Sequence, residues 1–294
     1  MKRLFYILVF SIFNFQLSIS HAQLLYSISG NGAKAKSYLL ATNELVDQDF
    51  LDTIPKTFAC FGRSNKVITE FTMKDYEAIQ ALRTAALLPD SVKLENFFSA
   101  TEYEDLSQAI LIQTEIPLSQ LARMKPSYLT ALCRTELMKR WLGYDPERSI
   151  ETFFAAVAEA RGLPVIGLDD TGETLYMLFD REPFHWQCRD LKQVINYPEK
   201  EVQQAKTIKY LYLMGLLTEI SYEICRPDNN CSISYSDYDV WAKRNITWAK
   251  RLNPYLKEGG CFITLHAEYL GGDKGLIAQL RSLGYKVKPI RHRK

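Results

Sequence analysis

The stretch CFITLHAEYLGGDKGLIAQLRSLGYKVKPI, Cys261 to Ile290, decides the fold of this 294-residue chain. Cys261–Leu265 is a short apolar run that reads as a buried strand. A glycine-bearing turn follows, then a helical pattern over Lys274–Leu283 and a second strand over Tyr285–Ile290. The other end of the chain answers it: Leu24–Ser29, a Gly30-Asn31-Gly32 turn and Ser37–Ala41 read as a strand pair, and Val67–Phe71 and Pro164–Leu168 as short strands. From about Met73 to Leu256 the signal is mostly helical. Its clearest block is Ser149–Arg161, stopped by Gly162 and Pro164, and longer blocks run over Pro198–Cys225 and Ser236–Leu256. Strands at both ends with helices between them predict one α/β (α+β) domain over residues 23–294, whose central mixed sheet is built from N- and C-terminal strands around a large helical middle region.

Ahead of that domain, Lys2-Arg3, the apolar run LFYILVFSIFNFQL and Ser20-His21-Ala22 make a secretory signal of residues 1–22, cleaved to leave Gln23 first. Asn14 and Gln16 interrupt the run, so no stable membrane span is expected after cleavage, an uncleaved anchor being the alternative. The expected location is periplasmic or secreted. Without Lys2 and Arg3 the chain has 34 basic against 34 acidic residues. That balance predicts no nucleic-acid partner, and Arg291-His292-Arg293-Lys294 reads as a solvated tail. In an oxidising compartment Cys225 and Cys231, which flank a short turn-rich loop, are expected to pair, while Cys60, Cys133, Cys188 and Cys261 sit in apolar settings as buried thiols. No two cysteines have zinc-site spacing. No nucleophile elbow, P-loop, His-Glu-x-x-His helix or dinucleotide fingerprint is present.

Several blocks together resemble one family. They are Tyr26–Gly32 with Ser37–Leu45, Val67–Glu70, Lys125-Pro126, Gly143-Tyr144-Asp145, Gly162–Asp169, Arg244–Trp248, Leu270–Leu276 and Gly284–Val287, in order along nearly the whole mature chain. The chain is similar to the TraB/GumN family, whose wider relatives include the Tiki-type membrane metalloproteases. The resemblance implies two Gly-x-x-His motifs and a glutamate, at Glu70 here, holding a divalent metal (zinc, manganese or cobalt) that activates water. This chain departs from that pattern at both motifs. The first position reads Ala41-Thr42-Asn43-Glu44 and the second His266-Ala267-Glu268-Tyr269. Only His185, His266 and His292 remain beyond the signal, so no reserve of histidines rebuilds the site.

Each site residue therefore carries two readings. Glu44, Glu70 and His266 either hold a metal in an altered site or line a polar pocket satisfied by arginine. His266 serves acid–base work or a structural hydrogen bond, and Arg244, from the resemblance, faces the pocket as an oxyanion holder or a structural ion pair. Asp169 orients its neighbours or, with Asp170, caps the helix that follows. Glu268 and Tyr269 join Glu44 and Asp169 as ligand-binding candidates, Tyr269 binding a metal only as a costly phenolate. Gly271, Gly272 and Gly275 are an anion cradle or a tight turn. The expectation is an exported relative with a degenerate or rebuilt centre that binds a peptide or polysaccharide-related ligand; the alternative is an active metal-dependent peptidase or hydrolase with Glu70, His266 and Arg244 as its catalytic residues.

Overall fold

The computed structural model describes residues 23–54, 56–72, 76–224 and 235–291, with side chains except at 235–238. Six strands form one mixed sheet: β1 (Leu25–Gly30), β2 (Ser37–Thr42), β3 (Lys66–Thr69), β4 (Val165–Gly167), β5 (Cys261–His266) and β6 (Tyr285–Pro289), in the order β4-β3-β5-β2-β1-β6. β4, β3, β5 and β2 are parallel to one another, and β1 runs antiparallel to β2 and β6. The α/β expectation holds: N- and C-terminal strands interleave, and the helical middle fills the two connections from β3 to β4 and from β4 to β5.

Burial follows position in the sheet. Every residue of β2 is buried, as is β5 up to Leu265, so these central strands read as continuous apolar runs. β6 alternates instead: Tyr285 and Val287 point inward, Lys286 and Lys288 outward. Lysines on that edge discourage pairing with another chain. β2 and β5 are in register with Ala41 beside Leu265 and Thr42 beside His266, which brings the two departed motifs to adjacent strand ends.

Two cores hold the molecule together. One covers the sheet, and within it Phe154, on the helix Ile150–Ala160, meets Phe61 at 4.9 Å and Phe262 of β5 at 4.7 Å between ring centroids. The second lies among the middle helices, around Leu106, Ile110, Leu129, Leu137 and Leu191. The Ile150–Ala160 helix starts as its sequence dictates, with the Ser149 hydroxyl accepting from the Thr152 N–H. One long block is corrected: Pro198–Cys225 is two helices, Pro198–Leu213 and Leu217–Ile224, because Gly215 turns the chain at φ 71°. Cys60, Cys133, Cys188 and Cys261 are buried free thiols, whereas the signal segment, the expected Cys225–Cys231 bridge and His292 lie outside the described residues. Among the described residues no helix is long and apolar enough to cross a membrane.

Phe154 is fully buried within this aromatic cluster. Phe154→Ala is expected to cost about 3–5 kcal/mol through lost burial and the cavity left behind. Urea unfolding followed by circular dichroism measures it as a lowered midpoint at unchanged slope.

Candidate functional site

Parallel strands present their carboxyl ends on one edge, the usual place for a site in an open α/β sheet. Here that edge carries Asn43-Glu44 after β2, Glu70 after β3, Leu168-Asp169 after β4, and His266 to Tyr269 at the end of β5. The helix Tyr235–Glu258 brings Arg244, Trp248 and Arg251, spaced by roughly one turn, against the same edge. All seven site residues predicted from the sequence thus belong to one edge of the fold.

Arg244, half-buried, is the centre of this arrangement. Its Nε and Nη2 donate to Asp169 Oδ2 at 2.9 and 2.6 Å, its Nη1 donates to the Tyr269 hydroxyl, and Nη2 lies 3.7 Å from Glu70 Oε2. Its guanidinium sits over the rings of Trp248 and Tyr269 at 4.3 and 4.8 Å. Asp169 receives a further hydrogen bond at 2.6 Å from Trp248 Nε1. Capping falls to Asp170 instead, in a reciprocal capping box with Glu173. Arg251 grips Glu173 through two 2.6 Å contacts and donates to the Leu168 carbonyl. Tyr269 is packed between Trp241 and Trp248, and burial first, then the Glu268 and Glu70 charges, hold its phenol well above the ordinary pKa.

His266 is bracketed by carboxylates. Its Nδ1 is 2.9 Å and its backbone N–H 3.0 Å from Glu70 Oε1, and its Nε2 is 3.3 Å from Glu151 Oε1. Burial favours loss of the imidazolium proton, but the charges of Glu70 and Glu151, the Glu70 hydrogen bond and Glu268 outweigh it and raise the pKa well above the ordinary value. Burial likewise works against ionised Glu70, yet the His266 charge, its hydrogen bonds and Arg244 hold that carboxyl below its ordinary range. The pair is therefore an imidazolium–carboxylate ion pair.

A cavity of about 280 Å³ opens beside this cluster, lined by Glu44 and Thr42 from β2 and its exit, by His266 and Glu268, and by Arg134 and Glu201 from two middle helices. Glu44 is exposed at its wall. Burial pushes the Glu268 carboxyl up to about 7, with Glu70 and Glu44 adding to the rise and His266 and Arg244 opposing it. A divalent metal needs imidazole lone pairs and carboxylates free to coordinate. Glu70 and His266 are hydrogen-bonded to one another, and Glu70 also faces Arg244. Among the described residues no group of three or more His, Cys, Asp or Glu is placed to hold a metal ion.

Sequence reasoning missed Glu151, Arg251, Glu201 and Thr42. Glu151 follows a helix N-cap and reads there as an ordinary first-turn acid, so no local signal marks it. The Arg134–Glu201 pair, 2.8 Å between Nε and Oε2, joins helices 67 residues apart in sequence. The glycine cluster is a turn. A Cβ on Gly271 would fall 2.1 Å from the Leu217 carbonyl oxygen, and the Gly272 and Gly275 N–H groups already donate to Thr218 Oγ1 and the Gly272 carbonyl. The Asn245-Ile246-Thr247 sequon is buried at its asparagine, which donates to the Lys274 carbonyl at 3.1 Å.

Asp169→Ala strands Arg244, whose side chain is only 13% exposed, and is expected to cost about 3–5 kcal/mol by chemical unfolding. The His266–Glu70 pair sets a pH signature. Because the folded pKa of His266 is raised, its contribution is full below about pH 6.5, declines as pH rises above that, and is gone beyond the folded pKa. Glu70, with a depressed pKa, contributes above its unfolded value near 4.3 and loses that contribution as pH falls through the folded one. Stability measured from pH 4 to 10 should therefore slope downward on the alkaline side, and His266→Gln should flatten that slope; an imidazole that titrates near 6.5 by NMR contradicts the ion pair.

The sequence of this chain matches none of the curated proteins and none of the solved structures. The model of the TraB/PrgY/gumN family does match, over residues 24–289, a span that holds all six strands and every residue of the carboxyl-edge cluster. With nearly its whole length accounted for, the chain belongs to the TraB/PrgY/gumN family.

Proposed function

We propose that this chain is an exported member of its family that binds a peptide or polysaccharide-related ligand at the carboxyl edge of its sheet, rather than hydrolysing one through a metal-bound water. The observation that carries this reading is the His266–Glu70–Arg244–Asp169 chain of contacts, in which Glu70 and His266, two of the three groups expected to hold a metal, are engaged with one another. Water activation by a metal requires an open coordination position beside free donors. Tyr269, at the second motif's histidine position, is instead locked between two tryptophans and Arg244. Export rests on residues 1–22 of the sequence.

The cavity suits binding better than turnover in one further respect. Its wall sets apolar side chains such as Met138, Ile208 and Ile220 beside a larger number of polar and charged ones, so both faces of an amphipathic ligand find partners there. An active carboxylate-rich hydrolase is the competing reading, favoured by Glu268 and Glu44 on the same wall with the Glu268 carboxyl near neutrality.

Elemental mass spectrometry of the purified protein separates the two. After loading with zinc, manganese and cobalt and dialysis, the binding reading expects far less than one metal per chain and no cleavage of a peptide library. Near-stoichiometric metal that disappears in both Glu44→Ala and Glu70→Ala would overturn it in favour of the hydrolase.

A further inference from the structure

A second cavity, of about 470 Å³, lies apart from the carboxyl edge and shares no lining residue with the first. It opens where the last turns of two helices, Ala100–Thr114 and Pro126–Leu142, meet the first half of a third, Pro198–Leu213. Leu137 and Val202, largely buried, form its floor, while Ile112 and Trp141 stand in its walls 69% and 63% exposed. A surface helix ordinarily turns polar side chains to water, and a tryptophan this open forgoes most of the burial that its large ring can supply. The volume falls within the 300–1,000 Å³ usual for small-molecule sites. A ligand with an apolar body would cover both exposed side chains at once.

The charged groups at the rim say what the other end of that ligand carries. Arg140 is exposed and held in place by its own Nη2, which donates to the Ile112 and Gln113 carbonyls at 3.3 and 3.2 Å. Both acceptors are neutral, and its Nε and Nη1 N–H groups remain to donate elsewhere. Among the described residues no carboxylate pairs with Arg140, nor with Lys206, which stands exposed at the same cavity. The acid among the lining residues, Glu199, sits in the first turn of its helix, where the positive end of the helix dipole already favours it. Two cations against that single carboxylate leave the rim positive. A guanidinium with free N–H groups in one plane is suited to grip a carboxylate at two points.

We infer that this cavity binds an amphipathic anion, a carboxylate on an alkyl chain, with the head on the Arg140 guanidinium in the positive field of Lys206 and the chain against Trp141, Ile112, Leu137 and Val202. The inference goes beyond the carboxyl-edge reading and stands or falls independently of it, since the two cavities have no residue in common.

Calorimetric titration of the purified full chain with octanoate, hexanoate, 1-octanol and octylammonium tests it. Octanoate should bind at one site per chain, and hexanoate about fifteenfold more weakly for its two missing methylenes. 1-Octanol, which has the same chain without the charge, should bind at least about tenfold more weakly than octanoate, and octylammonium more weakly still. Arg140→Gln should weaken octanoate about tenfold and leave 1-octanol unchanged. Lys206→Gln, at an exposed position that makes no contact the fold depends on, should weaken octanoate up to about fivefold. Trp141→Ala should weaken octanoate and 1-octanol alike, by about tenfold or more.

1-Octanol or octylammonium binding as tightly as octanoate would overturn the anion assignment. Octanoate binding unchanged in both Arg140→Gln and Trp141→Ala would place it elsewhere in the chain and overturn the inference, as would the absence of saturable octanoate binding. Sedimentation of the protein as a dimer that Trp141→Ala makes monomeric would give the cavity to a second copy of the chain and overturn it equally.

Discussion

The guanidinium of Arg244 organises the whole carboxyl edge of the sheet. It joins the helix Tyr235–Glu258 to the exits of three strands at once: to Asp169 after β4, to Glu70 after β3 and to Tyr269 after β5. Taking such a cation out of water is costly, and the cost is met only where the surrounding acceptors are many and well aimed. Here Asp169 accepts two of its hydrogen bonds and Trp248 and Tyr269 stack beneath it, so a planar fork suits the place better than the point charge of a lysine would. The position of every other group at the edge depends on where this one sits.

From Arg244 the order passes outward by shared acceptors. Glu70 lies between Arg244 and His266, and His266 in turn lies between Glu70 and Glu151, so two cations and three carboxylates alternate along one line. Each member lowers the cost of burying the next. The arrangement also explains why two carboxyls of the same type behave oppositely. Glu70, flanked by both cations, stays ionised, whereas burial and the neighbouring Glu70 and Glu44 charges push the Glu268 carboxyl to about 7.

Much of this fold is legible in the chain and little of the wiring is. The strands at both ends announce themselves because apolar runs and glycine turns are local features, and Ser37–Thr42 and Cys261–His266 fall within a residue of where their patterns place them. Gly215 splits the Pro198–Cys225 block although the apolar period carries through, since a helix break set by one backbone angle leaves little trace in periodicity. At the site, family resemblance identifies Glu70, Asp169, Arg244 and the two altered motifs, because these sit at strand ends that sequence order can align. Glu151 and Glu201 escape it. Their partners, His266 and Arg134, are distant in the chain, and each alone is an unremarkable helix acid.

The residues at the two strand ends make physical sense as one arrangement of charge. An edge that gathers Glu70, Glu151, Asp169 and Glu268 needs positive charge to remain folded, and in a metal-binding relative a dication would supply it. On the reading proposed here, the Arg244 guanidinium and the His266 imidazolium supply that charge from the protein itself. The Tyr269 hydroxyl accepts a hydrogen bond from Arg244, and its ring adds a face for stacking. A carboxylate at residue 44 gains nothing from those cations, which are spent on other acids, and it faces the cavity exposed. On that reading the edge draws much of its positive charge from within: two cations stand among the three carboxylates of Asp169, Glu70 and Glu151, and the charge they do not offset stays negative beside the cavity.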